Sequence, residues 1–399
     1  PAARPAQDTV ARFLATEPDQ RALLLQDVIR TELAAVLGHG DTEVIDVDAE
    51  FLDLGVDSMA GIDMRARLGS LLRLELAAAE LFEHPTTALL AAHLVGLVGT
   101  APDPDAAVPA APAGVPASPF DSVEALYRQS HALGQAGSVG MDLIQAAGRL
   151  RASFGADAVA DHLQDPVRLA RGEEENAVLV CVPAITATAG PLQYVGLAQQ
   201  IQGERDVLVL VNPGFGEGES VPATFDAFLD LQVEALRAAV GDRPYVLLGH
   251  SAGGLIGHAL AMRAERAGFG PAATVVLDAF QAGTQFSAEL SRAMMDALFA
   301  REHLFGKGAL SGVRLSAMGH YHTLMDECEI APTQAPTLFL RPQDPMPNQA
   351  DAFEGDGWRA SWSFPHTLVT TPGDHFTIME DNISATTGAI RTWLAERDI

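Results

Sequence analysis

The sequence predicts two domains of different class: a small all-helical one, then a larger α/β one with a mostly parallel sheet and helices on both faces. Three observations carry that expectation. Apolar residues recur at helical spacing through residues 1–100. Farther on, short apolar runs lack the alternation of a half-exposed strand, and helical patterns lie between most of them. Between the two parts, residues 101–119 hold seven Ala and six Pro, and no apolar periodicity survives there.

In chain order, residues 20–37 place Leu23, Leu24, Val28, Ile29, Leu33 and Val36 on one helical face. An acidic loop follows over 41–57, and a second helix opens at Ser58 with Met59, Ile62, Met64, Leu68 and Leu71. Pro85, Thr86 and Thr87 start a last helix over 88–97. The segment 101–119 reads as a stiff linker, reaching roughly 60 Å if extended at ~3.1 Å per residue. The second domain, 120–399, begins with two helical stretches, 120–133 and 139–154. Strand runs then follow at 177–182, 207–211, 245–248, 274–277, 337–340 and 367–369, with helices such as 225–239 and 255–267 between them. The interval 281–335 is too long for one crossover and reads as a helical lid insertion. Its apolar face, Leu290, Met294, Leu298 and Phe299, suits either a cover over a channel or packing onto the domain.

Composition limits the function. The chain has 399 residues, 48% of them hydrophobic, and 52 acidic against 25 basic side chains give a net charge of −27. Such a surface repels phosphate backbones and anionic lipid heads, so nucleic acid and membrane are not expected partners. Residues 176–203 are uncharged, but two prolines and three glycines argue against a membrane span. Cys181 and Cys328 cannot form a disulfide framework or a zinc site, which suits a reduced, cytoplasmic protein. The opening PAARPAQDTV lacks an initiator Met and any signal-peptide pattern, and we read the chain as part of a longer polypeptide.

Gly249-His250-Ser251-Ala252-Gly253 matches the G-x-S-x-G elbow of an α/β-hydrolase, with an apolar strand before it and a helix after it. A tight strand-to-helix turn exposes the Ser251 oxygen. It also aims the Ala252 N–H and the helix dipole at a developing oxyanion. Such a serine needs a base, and His375 lies in a turn just after the last strand run, ahead of the rivals His320, His322 and His366. His250 and His258 read as structural. For the acid, both Asp278 and Asp344 follow strand runs, and spacing alone leaves the choice open. The second oxyanion donor is expected in the loop 183–189. No metal-ligand spacing appears. In the first domain, Ser58 sits where a loop becomes a helix, with Asp57 before it.

The first domain, with FLDLGVDS ending its acidic loop and FEHPTT before its last helix, resembles an acyl carrier protein of modular polyketide synthases. The resemblance implies a four-helix carrier whose Ser58 holds 4′-phosphopantetheine, attached by a phosphopantetheinyl transferase. Met59 stands where the family usually has Leu. The second domain, with VCVPAITATAGP, GHSAGG, VVLDAF, MGHYHTLM and WSFPHTLVTTPGDHFTIM, resembles the terminal thioesterase of modular type I polyketide synthases. That resemblance implies Asp278 as the acid and the Ile185 N–H as second oxyanion donor, although Ala184 and Ile185 replace a common glycine and threonine. It also implies a homodimer through 120–154, where Leu126, Leu133, Met141, Leu143, Ile144 and Leu150 form apolar faces that intramolecular packing could equally use. The implied function is release of an acyl polyketide chain delivered by upstream synthase domains. Transfer to Ser251 is followed by macrolactonisation, with hydrolysis to a linear acid as the alternative. A stand-alone serine esterase with a fused helical module is the more distant reading.

Overall fold

The computed structural model describes residues 9–38, 42, 45–56, 58–74, 76, 81, 84–100, 122–280, 288–305, 308–347 and 358–399. The linker expected at 101–119 lies outside the described residues. The chain divides into two compact units.

The first unit is helical, with α1 (Thr9–Ala15), α2 (Arg21–Leu37), α3 (Ser58–Leu72) and α4 (Thr87–Thr100) among the described residues. Helix α2 ends at Gly38, whose left-handed backbone (φ 73°) lets its N–H close onto the Ala34 carbonyl. Leu25, Ile29 and Leu33 of α2 meet Met64, Leu68 and Leu72 of α3 and Leu90, Leu94 and Val98 of α4 in one core, joined by Phe13. The acidic loop is pinned to the start of α4. The Phe51 N–H donates to the Pro85 carbonyl at 2.7 Å, and the Ala88 N–H donates to the Val47 carbonyl at 3.0 Å. Ile45, Phe51 and Val56 of that loop are buried, so the loop that leads to Ser58 is part of the core.

In the second unit the main sheet runs β2-β4-β3-β6-β7-β8-β9. Its strands are β2 (Val167–Ala170), β3 (Val178–Val182), β4 (Val207–Val209), β6 (Tyr245–His250), β7 (Ala273–Leu277), β8 (Thr337–Pro342) and β9 (Thr367–Thr371). All neighbours are parallel except the β2/β4 pair at the edge. Every residue of β3, β6 and β7 is buried, as a sheet covered on both faces requires. The covering helices are α7 (Val195–Ile201), α8 (Phe225–Val240), α9 (Ala252–Arg266) and α12 (Ile383–Ala395). A separate two-stranded pair joins β1 (Ser153–Phe154) to β5 (Val221–Pro222).

The N-terminal stretches differ from expectation in one respect. Helix α5 (Val123–Ala132) and helix α6 (Met141–Gly148) form, but the second does not continue to 154. Past Gly148 the chain turns, and Arg151 donates to the Val313, Gly214 and Glu219 carbonyls, drawing Ser153–Phe154 onto β5. The insertion is helical as expected, with α10 (Ala288–Phe305) and α11 (Gly312–Leu324). Tyr127, Ile144, Leu298, Leu315 and Met318 bury one another where α5, α6, α10 and α11 meet. Leu133, Val139 and Leu150 of the same stretch stay 63%, 55% and 88% exposed. No described helix is long and apolar enough to cross a membrane.

Helices α6 and α11 approach so closely that a Cβ at Gly319 would lie 2.2 Å from the Ile144 backbone. Gly319→Ala should therefore destabilise by about 1–3 kcal/mol through overpacking. On α12, a Cβ at Gly388 meets no heavy atom within 4 Å, and Gly388→Ala should gain up to about 1 kcal/mol of helix propensity. Thermal unfolding of the full chain carrying each change checks the opposite signs; equal melting curves would contradict the close approach.

Candidate active site

Strand β6 delivers its chain into a strained turn. Ser251 has φ 56° and ψ −132°, a backbone region that L-residues other than glycine rarely adopt. Its N–H donates to the Leu277 carbonyl at 2.9 Å, and its carbonyl accepts the Gly254 N–H at 2.9 Å, so the turn is fixed on both sides. The flanking glycines are a packing necessity. A Cβ on Gly249 would sit 2.1 Å from the Gly253 carbonyl oxygen, and one on Gly253 would sit 2.3 Å from the Val182 carbonyl oxygen. Helix α9 begins at Ala252, which directs its first N–H groups to the space beside the serine.

The parallel order brings the ends of β6, β7 and β9 to one edge. His375 Nε2 lies 3.1 Å from Ser251 Oγ, and His375 Nδ1 lies 2.7 Å from Asp278 Oδ2. Asp278 and His375 are each 4% exposed. Asp278 also takes a positive φ of 43°, with its N–H donating to the Leu340 carbonyl at 2.8 Å. Asp344 is placed otherwise. Its carboxylate accepts the Gly373 N–H at 3.1 Å and its own N–H donates to the Gly373 carbonyl at 3.0 Å, closing the turn ahead of His375. Asp374 accepts the N–H groups of Phe376 and Thr377 at 2.9 Å each.

The other histidines are engaged elsewhere. His320 Nε2 donates to the Pro222 carbonyl, and burial lowers its pKa. Burial pushes His322 down to about 4. His366 Nδ1 donates to the Phe364 carbonyl. His250 does stand away from the serine oxygen, but it touches the site from behind. Its Nε2 lies 2.7 Å from the His375 carbonyl oxygen and its Nδ1 lies 3.0 Å from Gln193 Nε2. Burial and the adjacent His375 push His250 down to about 3.

The loop after β3 lies against the elbow because Gly253 has no side chain. Its Ala184 N–H donates to Gln193 Oε1 at 3.3 Å, while the next N–H, on Ile185, has no acceptor among the described residues. Asn212 Nδ2 donates to the Ala184 carbonyl at 3.0 Å. Arg314 of α11 donates to the Ala187 and Ala189 carbonyls at 2.5 and 2.7 Å, tying the insertion to this loop. Arg301 of α10 pairs with Glu380 at 2.9 Å and lies over the Phe376 ring, tying the insertion to the His375 turn. Phe280, Met294, Met346 and Trp358 line a small space beside Asp278 and His375. Sequence reasoning did not find Gln193, Arg301 or Arg314, because side chain-to-backbone bonds across distant segments leave no local pattern.

Ser58 is the first residue of α3, directly beyond the core-anchored loop, and Asp57 lies outside the described residues. The free N–H groups of a helix's first turn suit a phosphodiester beside its first residue, so the helix start at Ser58 fits the group expected there.

Residues 177–394 match the family model for the thioesterase domain, and residues 27–94 match that for the phosphopantetheine attachment site. The chain is 35% identical to the spectinabilin polyketide synthase system protein NorC of Streptomyces orinoci, over 96% of this chain and 16% of that protein. It is also 35% identical to polyketide synthase GfsE of Streptomyces halstedii, over 96% of this chain and 10% of that protein. It thus spans less than a fifth of the length of these relatives, at 16% and 10%. Among solved structures it is similar to the Vlm2 thioesterase domain bound with a dodecadepsipeptide. The identity is 20%, over 57% of this chain and 96% of that one, with a TM-score of 0.43.

The two aspartates should separate in kinetics. Asp278→Asn leaves the imidazole with the wrong tautomer and should lower kcat on a small free thioester by on the order of 10⁴. Asp344→Asn should cost far less, since it loosens only the Gly373 turn. The reverse ranking would exchange their roles.

Proposed function

Since the chain belongs to the thioesterase family, with a phosphopantetheine attachment domain ahead of the thioesterase domain, we propose that it releases a carrier-bound polyketide chain through an acyl-Ser251 ester and closes it to a macrolactone. The observation that carries this reading is the hydrogen-bonded run Ser251–His375–Asp278 in a chain that also holds a carrier domain. The polyketide synthases among its relatives support the class of substrate.

Ser58 would hold the 4′-phosphopantetheine arm, which when bound presents the acyl chain as a thioester with a good leaving group. Ser251 Oγ attacks the acyl carbonyl carbon while His375 Nε2 takes its proton. Asp278 holds the imidazole through Nδ1 and stabilises the imidazolium that forms. The Ala252 and Ile185 N–H groups receive the oxyanion. His375 then returns the proton to the departing thiol sulfur, leaving the acyl-Ser251 ester. In the second half, His375 takes a proton from a hydroxyl of the chain, that oxygen attacks the ester carbonyl, and Ser251 recovers its proton. Ring closure over hydrolysis is the reading taken for the second half because the polyketide synthases among its relatives act on long chains that can carry a distal hydroxyl. The upstream synthase domains supply the chain, and a phosphopantetheinyl transferase supplies the arm.

Ser251→Ala should load normally and accumulate acylated protein with the added mass on Ser58. Ser58→Ala should take no arm yet still cleave small free thioesters. Intact-mass and peptide-mass measurements check both; normal release by Ser251→Ala would refute the assignment. With a thioester bearing a distal hydroxyl, the parent should yield lactone over acid, and acid alone would favour hydrolysis.

The exposed Leu133, Val139 and Leu150 support a second copy of the chain as the partner of the N-terminal helices. Leu133→Glu with Leu150→Glu should convert a dimer to monomer in sedimentation. A monomeric parent at micromolar concentration would refute it.

A further inference from the structure

A line of four polar groups crosses the floor of the site, and both of its ends are backbone groups with no choice of role. At one end the Ala184 N–H can only donate, and it meets Gln193 Oε1 at 3.3 Å. At the other end the His375 carbonyl can only accept, and it meets His250 Nε2 at 2.7 Å. Between them, Gln193 Nε2 meets His250 Nδ1 at 3.0 Å. The ends therefore dictate the middle: Gln193 must donate from its nitrogen, and His250 must be neutral with its proton on Nε2. We propose that Gln193 and His250 are positioning residues that hold the oxyanion loop and the catalytic base in register with each other, through one directional hydrogen-bond chain from the Ala184 N–H to the His375 carbonyl.

The two segments so joined need such a link. Ile185, whose N–H is the proposed oxyanion donor, follows Ala184, and His375 is the proposed base. One lies after β3 and the other after β9, which sit on opposite sides of β6 in the sheet. The chain passes directly behind the serine, because His250 is the residue before it. A protonated His250 would place a second N–H against the Gln193 amide nitrogen and break the line. The titratable groups around His250 oppose that charge. His375 packs at a tilt with ring centroids 4.7 Å apart, and the Tyr194 hydroxyl accepts the His250 backbone N–H at 3.2 Å with its phenol held neutral by burial. Asp278 follows Leu277, the β7 partner of His250, and is committed to His375. Burial likewise keeps the His250 ring neutral.

The proposal rests on the reading of Ser251 and His375 given above, and the test separates the two. In the full chain, Gln193→Met keeps the length of the side chain and removes both of its bonds. Gln193→Glu keeps an acceptor for Ala184 but sets a second acceptor against the unprotonated His250 Nδ1. For Gln193→Met, kcat on a small free thioester and the fluorophosphonate labelling rate of Ser251 should fall by about 10- to 100-fold. KM should stay within about twofold of the parent, and Gln193→Glu should recover little of the loss. A kcat unchanged in Gln193→Met, a loss confined to KM, or full recovery by Glu would overturn the relay. Full activity in Ser251→Ala or His375→Ala would instead overturn the reading beneath it. A second measurement does not depend on any variant folding. With ¹⁵N-labelled histidine in the parent protein, the His250 ring should report the neutral Nε2–H tautomer from pH 8 to about pH 5. Titration within that range, or an Nδ1–H tautomer, would overturn the proposal.

Discussion

A serine held at φ 56° and ψ −132° is strained by on the order of 1–3 kcal/mol, and it persists only where its surroundings over-determine it. Here the surroundings are the sheet itself. The Ser251 N–H is bound to the end of β7, the flanking glycines admit the Val182 carbonyl and the turn's own backbone, and α9 starts at once. Because β6 sits between β3 and β7, the same strain that lifts the oxygen out of the sheet brings two loops to it: the loop after β3 on one side and Asp278 on the other. Replacing either glycine would push the backbone off the Val182 or Gly253 carbonyl before it touched any reacting group.

The helical insertion is fastened to that arrangement and not merely laid over it. Arg314 holds two carbonyls of the loop after β3, and Arg301 holds Glu380 beyond the His375 turn while covering Phe376. Both guanidiniums are half-buried, where hydrogen bonds to charged groups contribute more than exposed pairs do. Leu298 and Phe299 anchor the same insertion to α5, and Met294 faces the space beside His375. The apolar face legible in 281–335 thus divides between packing and the site, so neither single use of it was complete.

What the sequence made legible follows from how local each cause is. Buried strands such as β3 and β6 declare themselves as unbroken Val/Leu runs. The edge strand β2, four residues containing Arg168 and antiparallel to β4, has no such run and was not foreseen. Likewise α6 stops at Gly148 because Arg151 and α11 claim the following residues, a tertiary cause invisible to periodicity. The elbow is local and was readable. Asp278 and Asp344 both end strands, so spacing could not choose between them, and only the register of β7 on β8 sets Asp278 against the imidazole. His250 was readable only as structural, since its partners stand 57 and 125 positions away.

The three aspartates near His375 show why one of them suits the imidazole. Asp344 and Asp374 turn their oxygens onto backbone N–H groups of the turn, which disperses their charge into fixed dipoles. Asp278 directs Oδ2 to His375, and its Oδ1 has no protein partner among the described residues. A carboxylate whose charge is less dispersed interacts more strongly with a cation that forms beside it, and at 4% exposure little solvent screens the pair. In the proposed mechanism that interaction grows as the imidazole takes the serine proton and is weaker when the ring is neutral. The turn aspartates, by contrast, stabilise the geometry equally in both states. The number of N–H groups each carboxylate already faces thus separates the two turn aspartates from the one proposed to serve the imidazole.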